Sequence, residues 1–559
     1  MNRSSLLTVA LLLLLTASLP AVAQVQAAST PRSALGSASA NSTDPSTARS
    51  RIATEASVFS RAQSAALAGN FELAARLFSE VTDEAEKLRA EIELGHSLLA
   101  LGLFDAATRQ YDFVLRAGSN HPAYAEAVEG LIEINALTGE DVIVGALLDR
   151  DYGEGFARLP PALLDEVNAI VGTMSLRAGR LDEARAFFDA VAPTARQARR
   201  VDYLAGLVAA RSGSNETALE LFERALKPVG SVQQSTPPAT TTFASQIALL
   251  AREAAHTRHA GRAIRISERE LGELALLAKA RTLYALGRFS ESVLTFERIP
   301  RLSRFWEASL FENGWARLQN EDDGGALGTL QALHAPQFSG SFQPESWILK
   351  AIVYFTHCLH PEARAALASF ESIYGPHKEA LKALVAEPRS PEFWLEALGK
   401  EDAIPSPVLN ELKANQRLEQ LVGSLVRIEA EARQIRSLES WKGSKLQKAQ
   451  LVALAQSQEV ARRVAADFVE KRLRDALARL IGFDAQKEIL ELEIARVETE
   501  AMEARFDRSK QLQSQTLHRP KLGSEQQVYW PFQGEFWIDE IGYYRFTLKN
   551  GCQVNGEMP

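Results

Sequence analysis

Residues 167–228 read VNAIVGTMSLRAGRLDEARAFFDAVAPTARQARRVDYLAGLVAARSGSNETALELFERALKP, and a single helix-turn-helix unit is written twice in them. At an offset of 34 residues Gly172 recurs as Gly206, Gly179 as Gly213, Ala184 as Ala218 and Phe188 as Phe222, with Pro193 and Pro228 closing the two units. The spacing has a mechanical cause. Gly172 and Ala184 fall where the two helices of a unit cross, and any larger side chain would push their axes apart. Phe188 is then placed to fill the space against the next unit. A unit this short cannot bury its apolar face alone, so it must stack on copies of itself.

Copies stand on both sides. Gly69, Phe71, Ala74 and Phe78 recur 33 residues later as Gly102, Phe104, Ala107 and Tyr111, with Gly95 at the helix crossing. Tyr124 to Arg150 keeps a helical pattern without the signature and reads as a degenerate unit, which Leu159-Pro160-Pro161 breaks from the next. Gly230 to Thr242, with its Pro237-Pro238 pair, reads as a linker, and a helix is expected around Ser245 to His256. The signature resumes with Ala280, Gly287, Phe289, Ser292 and Phe296, continues through Gly314, Ala326 and Leu330, and ends on Ala351, Ala363, Leu367 and Pro376. Seven units are recognisable, with two or three degenerate ones beside them.

Beyond Pro391 the period changes. Leu418, Leu425 and Ala432 are seven apart, as are Leu421, Ile428 and Ile435, and Phe483, Leu490 and Val497, so an apolar seam runs along long helices with breaks expected at Gly443 and Gly482. The simplest arrangement is a coiled-coil hairpin or small antiparallel bundle projecting from the stack; the alternative is that the seam forms a homo-oligomer. In the tail, Val528 to Phe532, Glu535 to Ile538 and Gly542 to Leu548 are aromatic and β-branched, which predicts two short strands. So many aromatics must dock on the hairpin or on a partner.

The small–x6–Gly–x4–Ala–x3–Phe pattern is identified as that of tetratricopeptide repeats, and the resemblance covers about half of the mature chain expected after the signal. It implies an all-α superhelix that binds other proteins and seldom does chemistry. The expected division is a signal peptide at 1–23, a disordered linker at 24–54, a first repeat segment at 55–228, a linker at 229–242, a second repeat segment at 243–378, a helical hairpin or coiled coil at 379–516 and an aromatic β-rich tail at 525–559. A narrower resemblance rests on Phe305 to Ala308, Pro344 to Phe355, and Trp530-Pro531-Phe532 with Gly534 to Glu540. These runs look like exported repeat proteins of deltaproteobacterial type, some of them linked to gliding motility, and imply a periplasmic scaffold in a cell-envelope complex. A second reading, from another class, is an accessory factor that recruits enzymes of peptidoglycan or exopolysaccharide assembly.

With 559 residues the chain is too long for one core. A net charge of −8 and a pI near 5.8 argue against nucleic acid as a partner, since phosphate binding needs a basic surface. Arg3, the apolar run Leu6 to Leu15 and the small residues Ala21-Val22-Ala23 form a secretory signal with cleavage expected after Ala23, which sends the chain to a bacterial periplasm. No other stretch is long and apolar enough to span a bilayer. The two cysteines, Cys358 and Cys552, lie so far apart in sequence that they are expected to stay unpaired or to form an incidental bridge.

Little in the chain speaks for catalysis, a cofactor or a metal. His357-Cys358-Leu359-His360 offers good zinc ligands, but no second cluster exists to complete four-coordination, so the residues read as turn and packing residues. Glu321-Asp322-Asp323-Gly324-Gly325 reads as an acidic helical turn without calcium-loop spacing. The better candidate is the groove. In a repeat stack the first helix of each unit lines the concave face, and positions one or five after the crossing residue point into it. That rule selects His96, Thr173, Leu207, Arg281 and Trp315, adds Arg177 and Arg211 at the fifth position, and brings in Tyr203 three before Gly206. Aligned arginines beside a tyrosine suit an acidic or carboxylate-bearing peptide. Gly95, Ala107, Gly172, Ala184, Phe188, Gly206, Ala218, Phe222, Phe296 and Gly314 are the packing residues. The expected partners are other envelope proteins, held by the groove and by the C-terminal hairpin.

Overall fold

The computed structural model describes residues 57–139, 141–151, 153, 156–195, 197–227, 246–259, 267–301, 303–507, 534, 536–537 and 541–548. Every regular element among the described residues is a helix, with no strand among them. Five helix pairs come first: α1 (Val58–Leu67) with α2 (Phe71–Ser79), α3 (Glu84–Ala100) with α4 (Phe104–Arg116), α5 (Tyr124–Thr138) with α6 (Asp141–Asp151), α7 (Pro161–Arg177) with α8 (Leu181–Asp189), and α9 (Ala198–Arg211) with α10 (Asn215–Leu226). A lone helix, α11 (Gln246–His259), precedes three more pairs: α12 (Glu268–Ala285) with α13 (Phe289–Phe296), α14 (Trp306–Gln319) with α15 (Asp323–Leu333), and α16 (Glu345–Thr356) with α17 (His360–Val385). Then come α18 (Pro391–Ala397), α19 (Ser406–Lys413), α20 (Gln416–Ser437), a 3-10 turn at Glu439–Trp441 and α21 (Lys445–Asp507). These are eight tetratricopeptide-type units, counting the one expected to be degenerate.

Each pair closes through a residue in the left-handed region. Gly69, Gly102, Gly139, Gly179, Gly213 and Gly287 supply it at φ between 71° and 78°. In the seventh and eighth units Glu321 (φ 59°) and Cys358 (φ 54°) take the same conformation without glycine's freedom, which is why the written signature fades there while the geometry persists.

The crossing residues behave as their spacing demands. A Cβ on Gly95 or Gly172 would come within 2.7 Å of the ring of Tyr111 or Phe188, and Phe222 fills the same place over Gly206. The aromatic ring therefore sits over the glycine of its own unit first. Tyr111 is also pressed against Gly130 of the third unit, the contact with the next unit that its place in the signature predicts. Ala107, Ala184 and Ala218 are fully buried, Phe296 nearly so, and Gly314 packs on Thr329 and Leu330.

The stack is continuous across the expected linker. Phe222 of α10 shares a core cluster with Ala278 of α12, Lys279 pairs with Glu223 and Arg199 with Glu268, so the sixth unit sits directly on the fifth. Helix α11 is thus an insertion. The residues expected to link the halves, 229–242, lie outside the described residues, as do 1–54.

The C-terminal helices do not project from the stack; they lie back on it. Trp441 is completely buried and its indole donates to the Glu72 carbonyl at 2.8 Å, while Ser440 N donates to the Glu72 carboxylate at 2.7 Å. Glu431 of α20 accepts from the backbone N–H of Asp105 at 2.8 Å and of Ala106 at 3.4 Å. It supplies the cap that Leu103, with no side-chain oxygen, cannot give to α4. Helix α21 then reaches the other end of the stack, where Val469, Leu473 and Phe483 join the core of α16 and α17. It runs through Gly482 unbroken: the ~1 kcal/mol helix penalty of one glycine is small beside the packing of Leu480 and Phe483 on either side. Pro376, likewise, closes nothing and lies inside α17, whose flanking turns are held by Tyr374 and Leu381.

The expected β-rich tail is corrected here. Residues 541–548 contain no strand and dock on the seventh unit rather than on the hairpin. Ile541 is buried, Tyr544 and Phe546 pack on the α14–α15 core, and Phe546 N donates to the Gly324 carbonyl at 3.0 Å. Gly324 and Gly328, one turn apart on α15, leave room for the tail backbone that any Cβ would block. Single backbone contacts to a helix replace the ladder a strand would need. Val528 to Phe532 lie outside the described residues. Of the two outcomes expected for the cysteines, an unpaired thiol or an incidental bridge, Cys358 takes the second and is disulfide-bonded; the chain's other cysteine, Cys552, lies outside the described residues.

Replacing Trp441 by Ala empties a fully enclosed site and removes the indole hydrogen bond to the Glu72 carbonyl. It is expected to cost about 3–5 kcal/mol, measured by chemical denaturation. A cost below about 1 kcal/mol would mean that the hairpin is not anchored on the first repeat.

Candidate functional site

The groove residues chosen by position divide into two sets. His96 is completely buried, with Nδ1 3.0 Å from the Tyr111 hydroxyl and Nε2 3.4 Å from Glu126 Oε2. Thr173 is buried and returns its hydroxyl to the Ala169 carbonyl. Both belong to the core and neither lines a groove. Arg177 and Arg211 are exposed, at the last turns of α7 and α9; Arg211 donates to the Leu176 carbonyl at 3.3 Å, and Arg177 lies near enough to Arg417 to depress its pKa further beneath the effect of burial. They decorate helix ends, where cations meet free carbonyls. Leu207 is half-buried against the Phe222 cluster.

The second set comes together. Arg281 of α12 holds Glu312 of α14 through two hydrogen bonds, 2.7 Å and 2.5 Å, in the planar fork geometry of guanidinium and carboxylate. Tyr203 of α9 lies beside Arg281, and burial raises its hydroxyl pKa against the pull of that charge. Trp315 of α14 donates to Glu345 at the start of α16. Tyr203, Arg281, Glu312, Trp315 and Glu345 thus follow one another across four successive first helices. Glu312 and Glu345 escaped sequence reading. Glu312 stands 31 residues after Arg281, a repeat less about one turn, and that offset places two residues side by side on adjacent first helices.

Burial pushes the Glu345 carboxyl up to about 7, with Glu312 adding to the rise and the Trp315 hydrogen bond and Arg479 opposing it. Nearby, burial holds His334 down at about 2, its ring stacked on Trp347 at 3.6 Å. His357 and Cys358 are committed elsewhere: His357 Nδ1 lies 3.1 Å from the Val353 carbonyl, its Nε2 3.2 Å from Asp323.

In the first three units the corresponding face is covered. Helix α11 lies across α3, with contacts to α1 and α5, the first helices of those units. Its Ile247, Ala251 and Ala255 join the cluster that contains Ala62, Ile92 and Leu131.

No protein-family model matches the chain, and no curated protein matches it. Among solved structures it is similar to the crystal structure of the P58(IPK) TPR domain, at 14% identity over 56% of this chain and 82% of that one, with a TM-score of 0.19. The tetratricopeptide-type fold is read from the helix pairs themselves.

The raised pKa of Glu345 fixes a sign. The folded chain holds that proton more tightly than the unfolded chain, so the stability it contributes is complete below about 4.5 and is lost as pH rises through about 7. Glu345→Gln is expected to gain on the wild type in melting temperature between pH 5 and pH 8; a constant difference would contradict the assignment. His334 acts in the opposite sense, losing stability as pH falls through about 6.5, but it is common to both proteins and cancels.

Proposed function

We propose that the protein is a non-enzymatic scaffold that holds an extended or helical segment of a partner on the inner face of the fifth to eighth units. The fold fits protein–protein interaction, and one observation carries the finer reading. Two aromatic residues, a forked Arg281–Glu312 pair and Glu345 are presented in sequence by four first helices. Aromatic and arginine side chains are the usual anchors of such surfaces. Because Arg281 is already paired with Glu312, the surface is mixed in charge, and it selects a segment with both a carboxylate and a donor group. The N-terminal residues 1–23 and the disulfide at Cys358 support an exported, oxidising compartment, and hence partners in the cell envelope.

A photoreactive residue placed at Trp315 of the full chain, in the native host, is expected to yield a specific adduct. One placed at Leu294, an exposed position on the second helix of the sixth unit, is expected to yield none. Arg281→Glu in the same chain should reduce the adduct at least about tenfold. Equal labelling at both positions would overturn the assignment.

A further inference from the structure

The inner face of the first three units is filled by a piece of the chain that the stack does not need. Because α12 packs directly on α10, the insertion that carries α11 could leave without opening the superhelix. Yet α11 is seated as a bound helix would be. Ile247, Ala248, Ala251 and Ala255, at positions i, i+1, i+4 and i+8, form a narrow stripe of mostly small residues that is 0–3% exposed. Small side chains let the helix sit close to α3.

The polar contacts are equally directed. Arg252 Nε lies 3.0 Å from Glu133 Oε2, and His256 Nε2 lies 2.5 Å from Glu133 Oε1, so two successive turns of α11 converge on one carboxylate of α5 that is itself 7% exposed. The opposite side of α11, with Leu249, Glu253 and Thr257, faces solvent.

We infer that this face is a second helix-binding groove, distinct from the surface on the fifth to eighth units, and that α11 is its resident, displaceable occupant. The partner it fits is an amphipathic helix of α11's own chemistry, with small apolar residues at i, i+1, i+4 and i+8 and a basic residue at i+5 that meets Glu133. Tethering gives α11 a local concentration on the order of millimolar. A partner helix therefore docks only if it binds substantially better than α11 or if the insertion is drawn away, which makes the groove a gated one. This inference does not rest on the reading of the other surface.

A labelled peptide of residues 244–261 tests it. The full chain carrying Ala251→Glu and Ala255→Glu, its groove vacated, is expected to bind the peptide at least about tenfold more tightly than the wild type. A peptide with the same two substitutions should not bind. Equal or absent binding to the folded variant would overturn the proposal. If the variant does not fold, hydrogen exchange on the wild type decides. With excess peptide, α11 amides should exchange faster while those of α3 and α5 stay protected, and unchanged α11 exchange would count against displacement.

Discussion

The structure depends on one steric relation, an aromatic ring lying over a glycine where two helices cross. Tyr111 over Gly95, Phe188 over Gly172 and Phe222 over Gly206 set the distance between paired axes, and in a stack every later unit inherits that distance. A methyl group at any of these glycines would displace the ring, and the ring is what the neighbouring unit packs on, as Tyr111 does on Gly130. Small errors would therefore accumulate along eight units. The seventh unit keeps the spacing by different means, with Thr329 and Leu330 against Gly314.

A stack of repeats has two ends and two faces, and in this chain much of both is covered by the protein's own segments. On the outer side of the first units, Trp441 and Glu431 attach the C-terminal helices to α2 and α4. Helix α21 carries the attachment to α16 and α17, so residues far apart in the repeat series are tied by one 63-residue element. Glu431 illustrates how deep the tie goes. Burial and the neighbouring Asp105 hold its pKa well above the ordinary carboxylate range, while the amides it caps pull the other way. On the seventh unit the tail is fastened by Phe546 N and by Arg545, whose guanidinium lies 2.5 Å from Asp322.

What sequence could show followed from whether a constraint is local. The crossing glycines, the turn glycines and the aromatic at its fixed offset act within one unit, so their spacing is visible along the chain. Where the turn uses Glu321 or Cys358 instead of glycine, the signature weakens although the fold does not. Groove membership was less legible. Position rules placed Tyr203, Arg281 and Trp315 on one surface but also chose His96 and Thr173, because whether a first-helix residue meets solvent depends on what else covers it. For His96 that is set by Tyr111 and Glu126, in the second helix of its unit and in the next unit. The tail was misread because alternating aromatics fit a strand and an extended segment docked on a helix equally well. Its true signal was on the other side of the contact, in Gly324 and Gly328, two costly residues for a helix unless another backbone must come close.

The surfaces make sense together only if the eight units form one superhelix and α11 is an accessory insertion, because only then can the first groove be occupied while the second stays open. Replacing residues 229–265 with a short Gly/Ser linker removes α11 and leaves the α10–α12 junction intact. Small-angle scattering with thermal unfolding on that variant is the most direct measurement. An unchanged radius of gyration and a single cooperative transition are expected, whereas an expanded particle or two separate transitions would show that α11 holds the halves together and contradict the account.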